Sequence, residues 1–389
     1  MDSGLQFALN GWDTTVEMDH GCRQEAPVIA LSTESRDLRP SDAVAAVSAV
    51  AHRLIGKHLF VKIDSTMRGN VGYELRTLLH ILPIRTIVIA PTFPKGGRTL
   101  VDGQLLVDGR PLATTAFHSD PRWPMNLSHV PTYLLQQAGM EVGHLRLEQI
   151  AAGHKALQAA MASCPERLIV ADAASDEDLL EVARAIRAMG PGWVPCGSAG
   201  LAQAWSAMLG PGPGRPEKAA AHGSGRVLLV IASRNPVTRA QMDALDGRAF
   251  RATLQRRAAY APEFEAQRLA QLVCDALQDG KDVILESATA ELLPGGGLQV
   301  ASILARAAAV AVDRSLVRGL VLSGGEVALA VCRALQVQGL RILTAIEPGI
   351  PGGEIIGGRA EGTRVVTKAG GFGSVRALAS ALDWLEGEA

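Results

Sequence analysis

Residues 62–70 read Lys62-Ile63-Asp64-Ser65-Thr66-Met67-Arg68-Gly69-Asn70 and lie between a short apolar run and a segment with helical periodicity. This position is typical of the end of a buried strand, yet the strand would end in charged and hydroxyl side chains. Alternation along a strand would place Lys62 and Asp64 on one face. Ser65 or Thr66 could cap the following helix, whose free N–H groups favour anions. The pattern predicts either a strand-to-helix corner that receives a charged ligand or a solvated strand end with a cap and an ion pair.

The length and the element pattern together predict two α/β domains with mainly parallel sheets. A chain of 389 residues exceeds the size at which one hydrophobic core usually serves the whole molecule. Short apolar runs alternate with helical patterns in both halves, which is typical of βαβ units. Residues 210–225 are dense in Pro, Gly and Ala and predict a linker. The predicted domains are therefore residues 1–209 and residues 226–389.

Composition argues against several classes of function. The net charge of −1 offers no basic excess to neutralise phosphates, so we expect no nucleic-acid partner. Aromatic residues make up 4% of the chain, too few for a base-stacking platform. The sequence predicts neither a signal peptide nor an apolar run of membrane-spanning length, so we expect no membrane partner.

The five cysteines are scattered along the chain, without the close spacings of a zinc site or a disulfide framework. This distribution favours reduced thiols in a cytoplasmic protein. The residues are Cys22, Cys164, Cys196, Cys274 and Cys332. Cys196 opens the run Cys196–Gly200, where no paired histidine is indicated, so we interpret that run as a packing or capping turn.

A second basic loop, residues 91–98, follows the β-branched run Thr86–Ala90. Its prolines and glycines predict a loop at the carboxyl end of a strand, where open α/β sheets bind ligands. Lys95 and Arg98 make it a candidate anion-binding loop. The alternative is an ordinary basic surface loop.

Three predicted strand-to-helix corners in the second half share a glycine- and serine-rich composition: Ala232–Asn235, Ser323–Glu326 and Gly370–Gly373. Glycine lets the backbone approach a ligand closely, and a helix start presents N–H donors. One such turn is also typical of any tight loop, but three in one domain favour a phosphate or nucleotide site. The sequence has neither a P-loop nor a dinucleotide fingerprint after a strand, which argues against a Walker-type ATPase and a nicotinamide-linked oxidoreductase.

Two acidic residues near these corners, Glu326 and Glu347, could hold Mg²⁺. Each residue could equally be an acidic residue at a helix start or on the surface, so the sequence does not identify the metal ligands. The nine histidines show no metal spacing.

With these motifs in place, the chain resembles the four-carbon acid sugar kinase family over nearly its whole length. The stretches that carry the resemblance are Lys62–Asn70, Ala90–Arg98, Ser323–Glu326, Ile346–Pro351 and Thr367–Gly373. The resemblance implies an N-terminal acid-sugar domain, a C-terminal ATP-binding domain and a site in the cleft between them. It also implies phosphoryl transfer from ATP, with Mg²⁺, to the terminal (C4) hydroxyl of a four-carbon sugar acid. D-Threonate is favoured over D-erythronate and 3-oxo-tetronate, because residues 115–121 and 128–131 look most like the threonate-type members.

The resemblance also implies which residues serve each ligand. On the substrate side it places Lys62, Asp64, Ser65, Arg68 and Arg98. On the nucleotide side it places Ser233, Ser323, Gly324, Gly325, Glu326, Gly370 and Gly371. Asp64 is the candidate for orienting or deprotonating the attacking hydroxyl; the alternative is a substrate-binding or structural ion pair with Lys62 or Arg68.

The beginning of the chain departs from the family pattern. Family members open with a strand and an Asp-Asp-x-Thr-Gly loop, whereas this chain begins at Met1-Asp2-Ser3-Gly4, just beyond that loop. This predicts either a start assigned too late or a truncated, catalytically inactive paralogue that binds sugar acid and nucleotide. We further expect a homodimer.

Overall fold

The structure is a computed structural model that describes residues 1–18, 25–120, 123–214, 225–233, 235–255, 258, 260–287 and 296–387. Cys22 and Arg234 lie outside the described residues, as do residues 215–224 of the predicted linker.

The helices and strands, in chain order, are α1 (Asp2–Leu9), β1 (Thr14–Glu17), β2 (Val28–Leu31), α2 (Pro40–Ala51), β3 (Val61–Lys62), α3 (Val71–Ile81), β4 (Thr86–Ala90), β5 (Arg98–Val101), β6 (Gln104–Val107), β7 (Arg110–Pro111), α4 (Val130–Ala138), β8 (Val142–Leu145), α5 (Leu147–Ala151), α6 (His154–Ser163), β9 (Leu168–Ala171), α7 (Asp176–Met189), β10 (Trp193–Gly197), α8 (Ala199–Met208), β11 (Arg226–Ile231), α9 (Pro236–Asp243), β12 (Ala249–Thr253), α10 (Pro262–Gln278), β13 (Asp282–Glu286), α11 (Gly296–Asp313), β14 (Val317–Ser323), α12 (Gly325–Ala334), β15 (Gly339–Glu347), β16 (Ile350–Ile356), β17 (Arg364–Lys368) and α13 (Ala377–Glu386). They fall into two compact units. The small unit is Ser32–Gly212, and the large unit combines Met1–Leu31 with Pro213–Ala389.

The small unit is built on a five-stranded parallel sheet with strand order β3-β10-β4-β9-β8. Its central strand β4 is buried on both faces, as its β-branched composition predicts. Ile87 and Ile89 pack in the core beside α3 and α4, whereas Val88 and Ala90 pack in the core beside α6 and α7. A small antiparallel sheet, β5-β6-β7, follows β4.

The large unit is built on a nine-stranded sheet with order β12-β13-β11-β14-β17-β16-β15-β1-β2. The five strands from β12 to β17 are parallel to one another. Beyond them, β16, β15 and β1 pair in antiparallel fashion, and β2 pairs parallel to β1. Both domains are therefore α/β with mainly parallel sheets, as predicted.

The domain boundary differs from the prediction at the N-terminal segment, which we assigned to the substrate domain. Residues 1–31 group instead with the large unit. Strand β1 pairs with β15, placing Thr14 opposite Ile342, and Leu5 of α1 is fully buried in the core of the same unit. This pairing and burial tie the segment to the large unit, although it is distant from that unit in sequence.

One described helix, α11, is long and apolar enough to cross a membrane by length and composition alone. Its inner face packs in the core of the large unit, with Leu304 and Ala308 fully buried. It is thus a core helix in this structure.

Candidate functional site

In the small unit, Asp64 lies two residues after the end of β3, at the centre of a network that we call the Asp64 cluster: Arg36, Asp64, Thr66, Arg68 and Asp120. Arg68 donates from Nε to Asp64 Oδ2 at 2.9 Å and from Nη2 to Oδ1 at 3.2 Å, a bidentate pair. Arg36 Nη2 donates to Asp64 Oδ1 at 3.4 Å. Thr66 donates to Oδ2 from both its backbone N–H and its hydroxyl. Both carboxylate oxygens of Asp64 are therefore hydrogen-bonded.

The pKa of Asp64 reflects this setting. Burial by itself would raise it, because only 12% of the side chain is exposed. The hydrogen bonds and the charge of Arg68 act in the opposite direction, with a smaller contribution from Arg36. The net result is a pKa held well below the usual range, so Asp64 stays ionised at any physiological pH.

The far side of the Arg68 guanidinium contacts a loop from elsewhere in the sequence. Its Nη1 donates to Asp120 Oδ2 at 3.2 Å, and its Cζ lies 5.2 Å from the ring centroid of Phe117. Asp120 Oδ1 in turn accepts from the backbone N–H of Trp123 at 2.9 Å. Arg68 is thus fixed between two carboxylates and an aromatic ring.

Sequence reasoning missed Arg36 and Asp120 as members of this cluster. Arg36 reaches Asp64 because the segment before α2 is tied to Asn70, whose amide donates to Ser35 O and Leu38 O, both at 2.9 Å. Gly69 has a φ of 107°, and a Cβ added there would lie 3.3 Å from Arg36 Cγ. A glycine that allows close approach by a distant loop was the available signal.

The other predicted substrate residues lie at the carboxyl end of β3 or in the loops that follow β3 and β4. Lys62 is exposed at the end of β3, and Ser65 is partly exposed in the turn that follows. Arg98 begins β5 and donates to Gly96 O, which keeps its side chain with its own loop. Lys95 forms an ion pair with Asp176 at 2.8 Å. Lys62 ends β3, and Lys95 and Arg98 follow β4; these two strands are both parallel to β10 and pair with it.

The turn after β10 lies between these two loops, and the structure confirms it as a packing turn. Ser198 Oγ donates to Thr92 O at 2.8 Å. A Cβ added at Gly200 would lie 2.5 Å from the same carbonyl oxygen, so only glycine fits. Cys196 is fully buried, and burial raises the pKa of its thiol well above the usual value. This thiol is unsuited to nucleophilic chemistry.

In the large unit, the carboxyl ends of the parallel strands form one row across the sheet. The register places these residues side by side: Thr253, Glu286, Ile231, Ser323 and Lys368. Four of them are polar, and Glu286, Ser323 and Lys368 are at most 4% exposed. Carboxyl ends of parallel strands are the usual ligand-binding edge of such sheets.

The predicted corner Ser323–Glu326 forms the transition from β14 to α12. Gly324 has a φ of 112° and is the N-cap of the helix, and its N–H donates to Lys368 O at 2.9 Å. At Gly325, in the first turn, an added Cβ would meet nothing within 4 Å. The start of α12 is therefore open on the glycine side, as a helix N-terminus that binds an anion requires.

The predicted residues Ser233 and Gly370 are brought together, although 137 positions separate them. A Cβ added at Gly370 would lie 2.3 Å from Ser233 Oγ. Thr238 Oγ1 bridges them, lying 3.1 Å from Ser233 Oγ and 2.5 Å from Gly370 O. Gly371 faces Asn235, with an added Cβ 3.3 Å from its Nδ2. Two of the three corners thus meet through direct contacts, and the backbone of Lys368 joins the third to them.

Comparison with known proteins agrees with this arrangement. A family model described as a sugar-binding N-terminal domain matches residues 1–205, and one described as a nucleotide-binding C-terminal domain matches residues 228–378. The chain is 33% identical to the D-threonate kinase of Bordetella bronchiseptica, over 96% of this chain and 91% of that protein. The chain belongs to the four-carbon acid sugar kinase family.

A second curated relative and one solved structure are also similar to this chain. The D-erythronate kinase of Heliobacterium modesticaldum is 31% identical over 98% of this chain and 94% of that protein. A crystal structure from Salmonella typhimurium LT2 superimposes with a TM-score of 0.81 at 22% identity, covering 98% of this chain and 95% of that one. The latter shows that the fold is shared.

Phosphoryl transfer usually requires Mg²⁺, so a kinase needs groups that could bind a metal ion. Within the described residues, no group of three or more His, Cys, Asp or Glu side chains could hold a metal ion. Mg²⁺ in a phosphoryl-transfer site needs no such group, because one or two carboxylates, phosphates and waters usually bind it. Two buried oxygens of the strand-end row, Glu286 Oε2 and Ser323 Oγ, have no hydrogen-bond partner among the described residues. These oxygens fit a hard cation.

The two acids singled out from the sequence differ in the structure. Glu347 accepts from both the backbone N–H and the hydroxyl of Ser374, each at 2.7 Å, one on each oxygen. This favours the structural interpretation for Glu347. Glu326 is half-buried in the first turn of α12, and Gly297 leaves room for its carboxylate, since a Cβ there would lie 2.3 Å from Oε2. Glu326 therefore stays a candidate ligand.

Proposed function

We propose that the protein is an ATP-dependent kinase that phosphorylates the C4 hydroxyl of a four-carbon sugar acid. The observation that carries the proposal is the Asp64 cluster, an ionised carboxylate fixed to Arg68 at the loop edge of the small-unit sheet. A sugar acid requires cations for its carboxylate and hydrogen-bonding groups for its hydroxyls. The cluster and its neighbours Lys62, Ser65 and Arg98 supply both kinds of group in the part of the chain that matches the sugar-binding domain.

For Asp64, the geometry favours substrate binding over proton abstraction. Its two oxygens already accept four hydrogen bonds from Arg68 and Thr66, and a lowered pKa makes it a weak base. Phosphoryl transfer depends mainly on positioning and charge stabilisation rather than on a strong base. We therefore assign Asp64 the role of fixing Arg36 and Arg68, the two arginines that would bind the substrate carboxylate.

On the nucleotide side, we assign the phosphates of ATP to the three glycine corners of the large unit. The exposed start of α12 at Gly325 and the loop at Gly370 and Gly371 offer backbone N–H groups to an anion. Ser233 and Ser323 add hydroxyls at the same strand ends. When bound, Mg²⁺ neutralises phosphate charge; Glu286, Ser323 and Glu326 are the residues that would hold it.

D-Threonate is the substrate that we favour over D-erythronate and 3-oxo-tetronate. Phe117 and Asp120 belong to the run that most resembles threonate-type members, and both contact Arg68 of the Asp64 cluster. A run that contacts the substrate arginine is well placed to distinguish one stereoisomer from another. The D-threonate kinase relative supports the same choice.

We also propose a cytoplasmic location and a homodimer. The cysteines among the described residues, Cys164, Cys196, Cys274 and Cys332, are all free thiols, which supports a reducing compartment. Light scattering of the purified protein measures the oligomeric state.

The test is an assay of ATP-dependent phosphorylation with D-threonate, D-erythronate and their stereoisomers as substrates. ADP formation measures the rate, and phosphorus NMR identifies the phosphorylated position of the product. We expect ADP formation that depends on the acid, with the highest kcat/KM for D-threonate and phosphate on C4. Binding of acid and nucleotide without turnover, in this chain and in one extended upstream, would instead identify an inactive paralogue. Turnover highest on another four-carbon acid would correct the substrate alone.

A further inference from the structure

Lys368 ends β17 at the centre of the nucleotide side, and none of the predictions above gives it a role. The residue is 4% exposed, so its ammonium lies in an environment that disfavours charge. Nζ donates to Ala369 O and Gly370 O, both at 3.0 Å, and to Thr238 Oγ1 at 3.4 Å. These partners match the three donors of an ammonium group.

The contacts of Lys368 reach all three glycine corners. Its ammonium directly holds the carbonyls of Ala369 and Gly370, where the chain enters the Gly370 corner. Thr238, which it also contacts, lies 3.1 Å from Ser233 Oγ. Its own backbone carbonyl accepts from Gly324 N at 2.9 Å, at the cap of α12. One residue thus connects corners that are far apart in sequence.

The direction of the Gly370 loop follows from these bonds. In a trans peptide the C=O of one residue and the N–H of the next point in opposite directions. The carbonyls of Ala369 and Gly370 point towards Lys368, so the N–H groups of Gly370 and Gly371 point away from it. The ammonium therefore turns the loop donors outward, where an anion can accept from them.

The charge of Lys368 is also uncompensated within the described residues. No carboxylate of the described chain lies within ion-pair distance of Nζ, and all three of its acceptors are neutral oxygens. Burial lowers the pKa of Lys368 to about 8, while the more distant charge of Glu347 raises it. A buried cation without a counter-ion, beside three anion-binding corners, favours a polyanionic ligand.

We propose that Lys368 is a positioning residue for the nucleotide phosphates: it orients the N–H groups of the Gly370 loop and supplies the positive charge that the phosphates neutralise. This inference rests on the proposed nucleotide site. It predicts that the residue acts on ATP and ADP but not on the sugar acid.

The experiment measures ADP affinity by calorimetry, and KM for ATP and for D-threonate, in the wild type and in three variants. Lys368→Met removes the charge at similar length, Lys368→Arg keeps the charge, and Lys281→Met is the control. Lys281 is 56% exposed beside Asp279, at the opposite, amino end of β13. We expect Lys368→Met to weaken ADP binding and raise KM for ATP by about tenfold to a hundredfold, the loss expected for hydrogen bonds to a charged group.

In that variant we expect KM for D-threonate to stay within twofold of wild type, and Lys368→Arg to recover part of the ADP affinity. If Lys368→Met fails to fold, Thr238→Val, which keeps the charge and removes the bridging hydroxyl, is expected to weaken ADP binding and spare D-threonate binding. If Lys368→Met binds ADP as tightly as Lys281→Met does, the role proposed for Lys368 is wrong, but the proposed function is unaffected. A wild type that binds no ADP would overturn the proposed function, and this inference with it.

Discussion

The Asp64 cluster and the glycine corners present their ligands with different kinds of groups. The cluster consists of charged side chains that fix one another, with Arg68 held by Asp64 and Asp120. The corners offer mainly backbone N–H groups and hydroxyls, with Lys368 as the one buried cation in the strand-end row. Side chains can be spaced to match one particular acid, whereas backbone donors recognise any phosphate chain.

This difference predicts where each half of the molecule is sensitive to substitution. In the small unit, loss of one charge removes an ion-pair partner from a group with little exposure to solvent, so single side-chain changes are costly. In the large unit, loss of one hydroxyl leaves many donors in place, whereas displacement of the backbone disturbs all of them.

The largest effect is expected from Arg68→Met. The change removes the bidentate partner of Asp64 and one of the cations that would bind the substrate carboxylate, so we expect kcat/KM for D-threonate to fall by about a thousandfold. ADP binding is expected to stay unchanged. The control is Arg39→Met, since Arg39 is 82% exposed and its ion-pair partner among the described residues is Asp42. Equal losses in both variants would remove the Asp64 cluster from the substrate site.

Gly370→Val is expected to act on the other ligand. Its Cβ would lie 2.3 Å from Ser233 Oγ and would force the two corners apart, so ADP affinity falls by about a hundredfold. Gly371→Ala is the graded companion, because its Cβ would lie 3.3 Å from Asn235 Nδ2 and can be accommodated by a smaller shift. A larger loss in Gly371→Ala than in Gly370→Val would contradict this order.

Gly325→Ala distinguishes an effect on ligand binding from an effect on folding stability. An added Cβ meets no atom within 4 Å, so thermal stability is expected to be unchanged or slightly higher. If phosphates approach the start of α12, the methyl group takes their space and ADP affinity falls by about tenfold. Calorimetry and a melting curve on the same sample measure the two quantities. Unchanged ADP affinity would move the phosphates away from this corner.

The smallest effect is a pH dependence of ADP binding. Lys368 is charged below its pKa of about 8 and neutral above it, so a rise from pH 7 to pH 9 removes a positive charge from the site. The phosphates of ADP are already ionised in this range. We expect ADP affinity to fall by about threefold to tenfold over that rise, and by less in Lys368→Arg, which stays charged. The same decline in both proteins would assign the titration to another group.

Much of the fold follows from local sequence patterns. The turns Asp102-Gly103 and Asp108-Gly109 predict the hairpins of the β5-β6-β7 sheet, and all four residues have positive φ, as the residues of type I′ turns require. The buried apolar runs and the glycine-rich corners likewise predict where the strands end. Local patterns were sufficient here because short-range turn chemistry and burial set these elements.

Other features depend on distant contacts that no local pattern shows. The prolines and glycines of residues 347–353 predict a turn-rich segment, yet strand β16 begins within it at Ile350. In the sheet, a Cβ at Gly353 would lie 2.2 Å from Arg341 O, so glycine permits close pairing with β15. Arg36 joins Asp64 across 28 positions for the same kind of reason. The candidate site was therefore predicted at its strand ends, and missed where separate loops converge.

A crossed calorimetric titration tests most directly whether the two ligands have separate sites. D-Threonate and ADP are each titrated into wild type, Arg68→Met and Gly370→Val. We expect Arg68→Met to lose D-threonate binding and keep ADP binding, and Gly370→Val to show the reverse. Loss of ADP binding with retention of D-threonate binding in Arg68→Met would contradict the assignment of sugar acid to the Asp64 cluster and of nucleotide to the glycine corners.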